Sequence, residues 1–481
     1  MKNLNSLKTN IITGKRRKTE MRTTDYNGKD GKSLDSIKER DDEKYNAEDL
    51  GRIAKIDLNR LKDQSEFPNL LIFPREWSTY HDSVGSSAIF SLSEKNMLKT
   101  RNIMGFVGLN YTNLTIASRF AADDLNNYFL QYMVLEVMNI NVFDLPHSAG
   151  KNSIWDLLLL LFPKYLKKAL SQGLYKEYKH NEYNDANVRG VIDVKRHLRL
   201  NIPFSGKIAY STREYSYDNP VTQIIRHTIE YLKNHELGRD LLISDTETFM
   251  NVNQIMLATS TYNRNDRLKI ININRVKTVV HPYYREYRDL QNLCIRILCN
   301  EKMSYNNERE KIHGILFDGP WLWEEYLAKI LKKRNFSHQN RYDLFKGSDE
   351  RIFPDFTRED DKEPIIICDA KYKQLDVRLG SKDKTINDKR KPRNFSDYYQ
   401  LISYMYRLNS KKGFLLFPYP EKKWKEPEIK KIIPERELTG FEIVLFGLKI
   451  PGYREKMSFK EFRKAMKESE NKLLEAIDSC Q

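Results

Sequence analysis

Four cysteines stand in 481 residues: Cys294, Cys299, Cys368 and Cys480. They form no CxxC pair and no zinc-ligand spacing, so a disulfide scaffold and a zinc ribbon are both excluded and reduced thiols are the simple reading. Long apolar runs are also missing. The longest, residues 157–162, falls far short of the roughly 20 residues that cross a bilayer. The polar, basic start of the chain lacks the apolar stretch of a secretion signal. A cytoplasmic protein with no membrane partner is the expectation. No GxxxxGK[ST] phosphate loop exists; residues 15–18 and Gly380-Ser381-Lys382 both fail the pattern. Any step driven by a nucleoside triphosphate therefore needs another chain. Nothing resembles a helix-turn-helix or a zinc finger that would read bases.

What is present is a large, basic, foldable chain. Its 481 residues point to two or three domains. The 28 Tyr and 22 Phe argue against a mainly disordered protein. A net charge of +16 favours a polyanionic partner, because each neutralised phosphate releases counterions. A generally lysine-rich proteome would give the same balance.

Residues 1–66 read as a polar leader, flexible at least in part, with a short helix near 47–61. Residues 67–305 read as a mixed α and β domain. Phe120, Leu125, Phe129, Tyr132 and Leu135 recur at helical spacing within 118–138. A second helix is expected over 154–171, a strand or strand and turn over 190–200, and a helix over 221–234 opened by Asn219-Pro220. Residues 306–481 read as an α/β unit with a small mixed sheet between helices. Its expected helices are 321–332, 396–408 and 460–477. Its expected strands are 352–357, 364–371, 413–417 and 441–448.

The chemistry concentrates in that last unit. Asp355 follows Pro354 on a short apolar strand, and Asp369 ends the run Ile365-Ile366-Ile367-Cys368. Lys371 stands two residues beyond Asp369, hence on the same face of the strand. A hairpin-like return would set Asp355 alongside. Two carboxylates suit Mg²⁺, or Mn²⁺ in its place, because a hard cation takes oxygen ligands. A lysine ammonium beside them can hold a water and offset developing negative charge. This is the set that phosphodiester hydrolysis asks for.

The tripeptide alone says little. Glu177-Tyr178-Lys179, Glu421-Lys422-Lys423 and Asp193-Val194-Lys195 fit it too, and an ion pair at a strand end would look the same. The context is what singles out Asp369. Downstream, Gln400 and Tyr404 lie one helical turn apart and can reach substrate or orient Lys371. Tyr404 could equally pack in a core. Upstream, Glu324 or Glu325 can complete a cation's shell or simply sit in solvent. Between Lys371 and Arg393 are nine Lys or Arg against three Asp. Lys389, Arg390, Lys391 and Arg393 in this loop are candidate DNA-phosphate contacts, unless the loop is only a solvated surface.

These residues resemble the McrC family of restriction subunits, with its LlaJI-type relatives, in the PD-(D/E)xK nuclease superfamily. The likeness rests on Phe317-Asp318, Leu322-Trp323-Glu324-Glu325-Tyr326, Pro354-Asp355, Asp369-Ala370-Lys371-Tyr372, Gln400 and Tyr404. Ser118-Arg119-Phe120, the segment from Arg189-Gly190 to His197-Leu198, and Asn219-Pro220 extend it. It covers roughly residues 110–450, and the leader departs from it. The resemblance implies a restriction-endonuclease-like core in the last unit and a Mg²⁺-dependent DNA endonuclease. It implies catalytic roles for Asp355, Asp369 and Lys371, and prefers Glu324 to Glu325. It implies a McrB-like AAA+ GTPase partner, a hexameric ring, docked through 67–305. A stand-alone or repair nuclease of the same fold, or a DNA-binding adaptor with a decayed site, are the other functions to weigh. The resemblance also sets aside Asp193 as a nuclease residue.

Overall fold

The computed structural model describes residues 19–26, 32–33, 43–56, 69–74, 88–93, 95, 97–110, 112–121, 127–138, 156–300, 312–345, 349–360, 363–373, 375, 395–421, 429–432, 441–452 and 457–479. Contacts divide the chain into two units. One holds Met1–Arg119 and Asn307–Gly319, the other Phe120–Asn306 and Pro320–Gln481. The boundaries expected at 66/67 and 305/306 fall elsewhere, because a late strand belongs to the first unit.

The first unit is built on a five-stranded sheet. Its order is Thr19–Thr24, Thr112–Ala117, Ile103–Leu109, His313–Asp318 and Asn69–Phe73. Residues expected in a loose leader thus supply an edge strand, paired in parallel with Thr112–Ala117. The strand Ile103–Leu109 is buried along its whole length. It meets His313–Asp318 very closely, and two glycines make that approach feasible. Gly105 has φ +124° and Gly314 φ +151°, and a Cβ on either would strike the opposite backbone carbonyl. The helix Glu43–Ala54, expected over 47–61, adds Leu50 and Ile53 to the core below the sheet. Its Asp49 accepts hydrogen bonds from Asn110 and Thr112. Arg119, from the Ser118-Arg119-Phe120 signature, donates to Asp25 through both its backbone and its guanidinium.

In the second unit, the expected helices appear at Tyr128–Met138, Asp156–Leu170 and Pro220–Lys233. The first is shorter than expected. A separate turn, Arg119–Ala121, precedes it, and residues 122–126 are outside the described set. Asn219 caps the Pro220–Lys233 helix, accepting from Val221 and Thr222 while the Thr222 hydroxyl receives its N–H. The stretch 190–200 is not the expected strand or strand and turn. Only Val191–Ile192 is strand, and Val194–Leu200 is a helix. The reason is local: the Asp193 carboxylate accepts the Arg196 N–H at 3.0 Å and caps a helical turn. This segment joins the long hairpin Glu177–Asp185 with Ile208–Ser216 in a three-stranded arm.

The rest of this unit surrounds a six-stranded sheet. Its order is Ser337–His338, Phe356–Asp360, Glu363–Ala370, Lys412–Pro420, Glu442–Ile450 and Ile429–Ile432. The three strands from Glu363, Lys412 and Glu442 run parallel, and the pairings outside them are antiparallel. The mixed α/β architecture is the one expected. The single strand expected over 352–357 is instead two. Pro354 has no N–H to give a ladder, and Arg351–Ile352 pairs with Tyr342–Asp343 while Phe356–Asp360 enters the main sheet. The helix Ser396–Arg407 packs Leu401, Tyr404 and Met405 onto Ile367, Leu415 and Leu445. Gly413 permits the approach, since a Cβ there would meet Met405 and Leu401. The helices Gly319–Leu331 and Phe459–Asp478 are tied together by the buried Glu470, which accepts from Tyr326 at 2.9 Å.

Candidate active site

The site forms where the central strand ends. Phe356 pairs with Cys368 across the antiparallel ladder, so Asp355 comes to lie across from Asp369. The Ala370 N–H then donates to Asp355 Oδ2 at 2.7 Å. Asp369 is 0% exposed and Lys371 4%. Lys371 Nζ stands 2.8 Å from Asp369 Oδ2 and donates to Gln400 Oε1 at 3.0 Å. Gln400 Nε2 in turn donates to the Tyr404 hydroxyl at 2.9 Å. The one-turn spacing of Gln400 and Tyr404 therefore delivers a chain that ends on the lysine. Tyr404 packs in the core, and its hydroxyl accepts from the Gln400 that holds Lys371.

The electrostatics explain why these groups are costly. Burial pushes the Asp355 carboxyl well above the usual carboxylate range, and the charges of Asp369 and Glu324 push it further. Lys371 and the Ala370 N–H oppose the shift. Burial raises the Tyr404 phenol as well, with Asp369 and Asp355 adding to it. Two carboxylates that repel each other, one of them sealed from solvent, form a ready seat for a cation. Every donor is oxygen, and Mg²⁺ commonly takes one or two carboxylates and keeps waters in its other positions. The pair Asp355 and Asp369 fits that pattern. Among the described residues no group of three His, Cys, Asp or Glu side chains is placed to hold a metal.

Glu324 extends from the helix Gly319–Leu331 and its field reaches Asp355. Its Oε1 accepts from His338 Nε2 and Gln339 Nε2, each at 2.8 Å. Sequence reasoning passed over His338 and Gln339; the polar run Ser337-His338-Gln339-Asn340 just ahead of the Asp355 strand was the signal available. Lys373 pairs with the buried Asp397 at 2.7 Å, joining the strand's exit to the start of the Gln400 helix. Lys389, Arg390, Lys391 and Arg393 lie outside the described residues. Asp193 and Lys195 belong to the arm, and Asp193 serves there as a helix cap.

No described helix is long and apolar enough to cross a membrane. No curated protein matches the chain. Among solved structures, a chain of the refined half-complex from the tetradecameric assembly of Thermococcus gammatolerans McrB AAA+ hexamers with bound McrC is similar. Its TM-score is 0.52 at 15% identity, over 95% of this chain and 100% of that chain. At that identity the likeness speaks for the fold alone. The cryo-EM structure of the Thermococcus gammatolerans McrBC complex matches at a TM-score of 0.34 and 14% identity, over 66% of this chain and 88% of that one, too weakly to carry an argument. A family model described as McrBC 5-methylcytosine restriction system component matches residues 98–418. That span takes in the capped Asn219 helix, the Glu324 helix, Asp355, Asp369, Lys371, Gln400 and Tyr404. With well over half of its length matched, the chain belongs to the McrBC 5-methylcytosine restriction system component family.

Proposed function

We propose that this chain is the Mg²⁺-dependent DNA endonuclease subunit of a McrBC-like restriction system, cutting foreign DNA when coupled to a McrB-like AAA+ GTPase. The observation that carries the reading is Asp355 set beside the buried Asp369 and Lys371 at the end of a parallel strand. Three charges sunk together are expensive without a task, and ligand sites in parallel sheets favour the carboxyl ends of strands.

Asp355 and Asp369 would hold the cation, with Glu324 adding negative charge nearby. A bound Mg²⁺ supplies charge against the scissile phosphate and makes nearby water more acidic. Asp369 and Gln400 fix the Lys371 ammonium, which then presents a positive charge where the phosphorane-like charge develops. Tyr404 locks the Gln400 amide in the orientation whose oxygen faces the lysine. Burial of the site keeps bulk water from competing with these bonds.

The net charge of +16 supports DNA as substrate, and Lys389, Arg390, Lys391 and Arg393 are proposed phosphate contacts. The GTPase partner rests on the family and on the fold of the Thermococcus complex. Docking through the 67–305 region draws support from the arm. There Val191 is 77% exposed, Ile202 67% and Phe204 67%, apolar side chains open to a partner.

The test is cleavage of plasmid DNA by purified protein, with and without the partner and GTP. Little cutting alone and rapid cutting with both is the expected result. Fast, specific cutting by the chain alone would reject the coupling and favour a stand-alone nuclease. Binding without cutting in every condition would favour the adaptor.

A further inference from the structure

His338 and Gln339 form a bridge between two elements of the site. His338 ends the edge strand Ser337–His338, opposite Phe356 in the ladder. Its ring stacks on Phe356, with centroids 5.2 Å apart and planes at 20°. The stack aims Nε2 at Glu324 Oε1. Gln339 follows with φ +54°, a left-handed conformation that a residue with a Cβ seldom takes. Such strain persists where surrounding contacts over-determine it. Here two do: the Gln339 backbone N–H donates to Asp355 O at 2.8 Å, and its side-chain amide donates to Glu324 Oε1 at 2.8 Å. One residue thus grips both the helix that carries Glu324 and, at the head of the Phe356–Asp360 strand, Asp355.

Both donors fall on the same oxygen of Glu324. The carboxylate is held in place, and its field reaches Asp355. We infer that His338 and Gln339 are positioning residues that hold Glu324 toward the cation seat of Asp355 and Asp369, where its charge strengthens cation binding. The inference rests on the nuclease reading of that seat. Outer hydrogen bonds of this kind typically set metal affinity by about 10- to 100-fold.

The experiment is Mn²⁺ binding to the full-length protein, followed by electron paramagnetic resonance without DNA. Gln339→Gly removes the side-chain grip and keeps the backbone N–H in a conformation glycine accepts. His338→Phe keeps the stack and removes the donor. Each should weaken Mn²⁺ binding about tenfold or more. Glu324→Gln should do the same, and the double variant Glu324→Gln with Gln339→Gly should be no weaker than Glu324→Gln alone, because both act through one carboxylate. Wild-type or tighter binding by Gln339→Gly overturns the inference, as does full additivity in the double variant. Asp369→Ala separates the two levels. If it binds Mn²⁺ like wild type, the cation seat itself is misassigned; if it loses binding while Gln339→Gly does not, only the positioning role falls.

Discussion

Asp369-Ala370-Lys371 and Asp193-Val194-Lys195 share a spacing and a preceding apolar stretch, yet the molecule uses them in opposite ways. Asp369 closes a strand with neighbours on both sides, and its side chain is sealed from solvent. Asp193 follows a two-residue strand at the margin of the arm, and its carboxylate is spent on the Arg196 N–H. In the first case the fold isolates charge and brings a second carboxylate against it. In the second it leaves charge half in water and gives it a backbone partner. The lesson is that the triplet acquires chemistry from what stands on the next strand. Among the helices beside the arm, the fully buried His227 is kept neutral, its pKa lowered to about 4 by burial and then by Arg267.

The sharpest way to break this contrast is Asp369→Ala. Cleavage should fall by roughly three orders of magnitude, about 4 kcal/mol of barrier, while circular dichroism stays native. A plasmid-nicking rate above about a tenth of wild type, a change of only some 1.4 kcal/mol, would remove Asp369 from the chemistry. Added Mg²⁺ should also raise the melting temperature of wild type and not of this variant, since a ligand that binds only the folded state stabilises it.

His227 should affect stability and not catalysis. Its folded pKa of about 4 lies below the unfolded value of about 6.5. The neutral ring is thus favoured in the folded state, and stability is intact above pH 6.5. It declines as pH falls through the window from 6.5 to 4, by up to about 3 kcal/mol. His227→Leu should flatten that part of the urea-denaturation profile. An unchanged profile would mean that His227 is not the acid-sensitive group.

Neutralising Lys389, Arg390, Lys391 and Arg393 tests whether DNA meets the sheet site. Each lost phosphate contact should lower the log–log salt slope of duplex binding by about 0.9. An unaltered slope means the loop does not touch DNA. The smallest effect is expected at the other triplet. Asp193→Ala removes a helix cap worth about 1 kcal/mol and should leave the cleavage rate of a folded, partner-bound protein in place. Lost cleavage there would erase the distinction between the two triplets.

The placement of the candidate site was more legible in the sequence than the architecture around it. Asp355, Asp369 and Lys371 were legible because strand periodicity and an i, i+2 spacing are local facts, and Gln400 with Tyr404 because one helical turn is. Glu324 was legible only as one of two adjacent carboxylates. His338 and Gln339 were hidden because their meaning lies in a ladder to Phe356 and a bond to Asp355 O, contacts set by tertiary return of the chain. Local chemistry also misled at 190–200, where a cap overrode an apolar pair, and at Pro354, which divides one apparent strand into two. The leader looked loose by composition, but the Thr19–Thr24 strand draws its order from Thr112–Ala117.

The strand His313–Asp318 sits inside the first unit's sheet, between Ile103–Leu109 and Asn69–Phe73. It is the only described ladder neighbour of Asn69–Phe73. On the ribosome, that partner is made almost two hundred residues after Ala117, a delay on the order of ten seconds or more at bacterial-type synthesis rates. Until then Asn69–Phe73 has no described strand to pair with, and an unpaired apolar edge invites association with other chains. The intervening residues 120–306 emerge in the meantime. Biosynthesis would therefore begin the first unit and complete it only after much of the second has left the ribosome. A nascent chain arrested with residues up to about 300 outside the ribosome should carry the Pro220–Lys233 helix region protected from protease, since the Arg285–Asn300 helix packs on it, while Asn69–Phe73 is still open to cleavage.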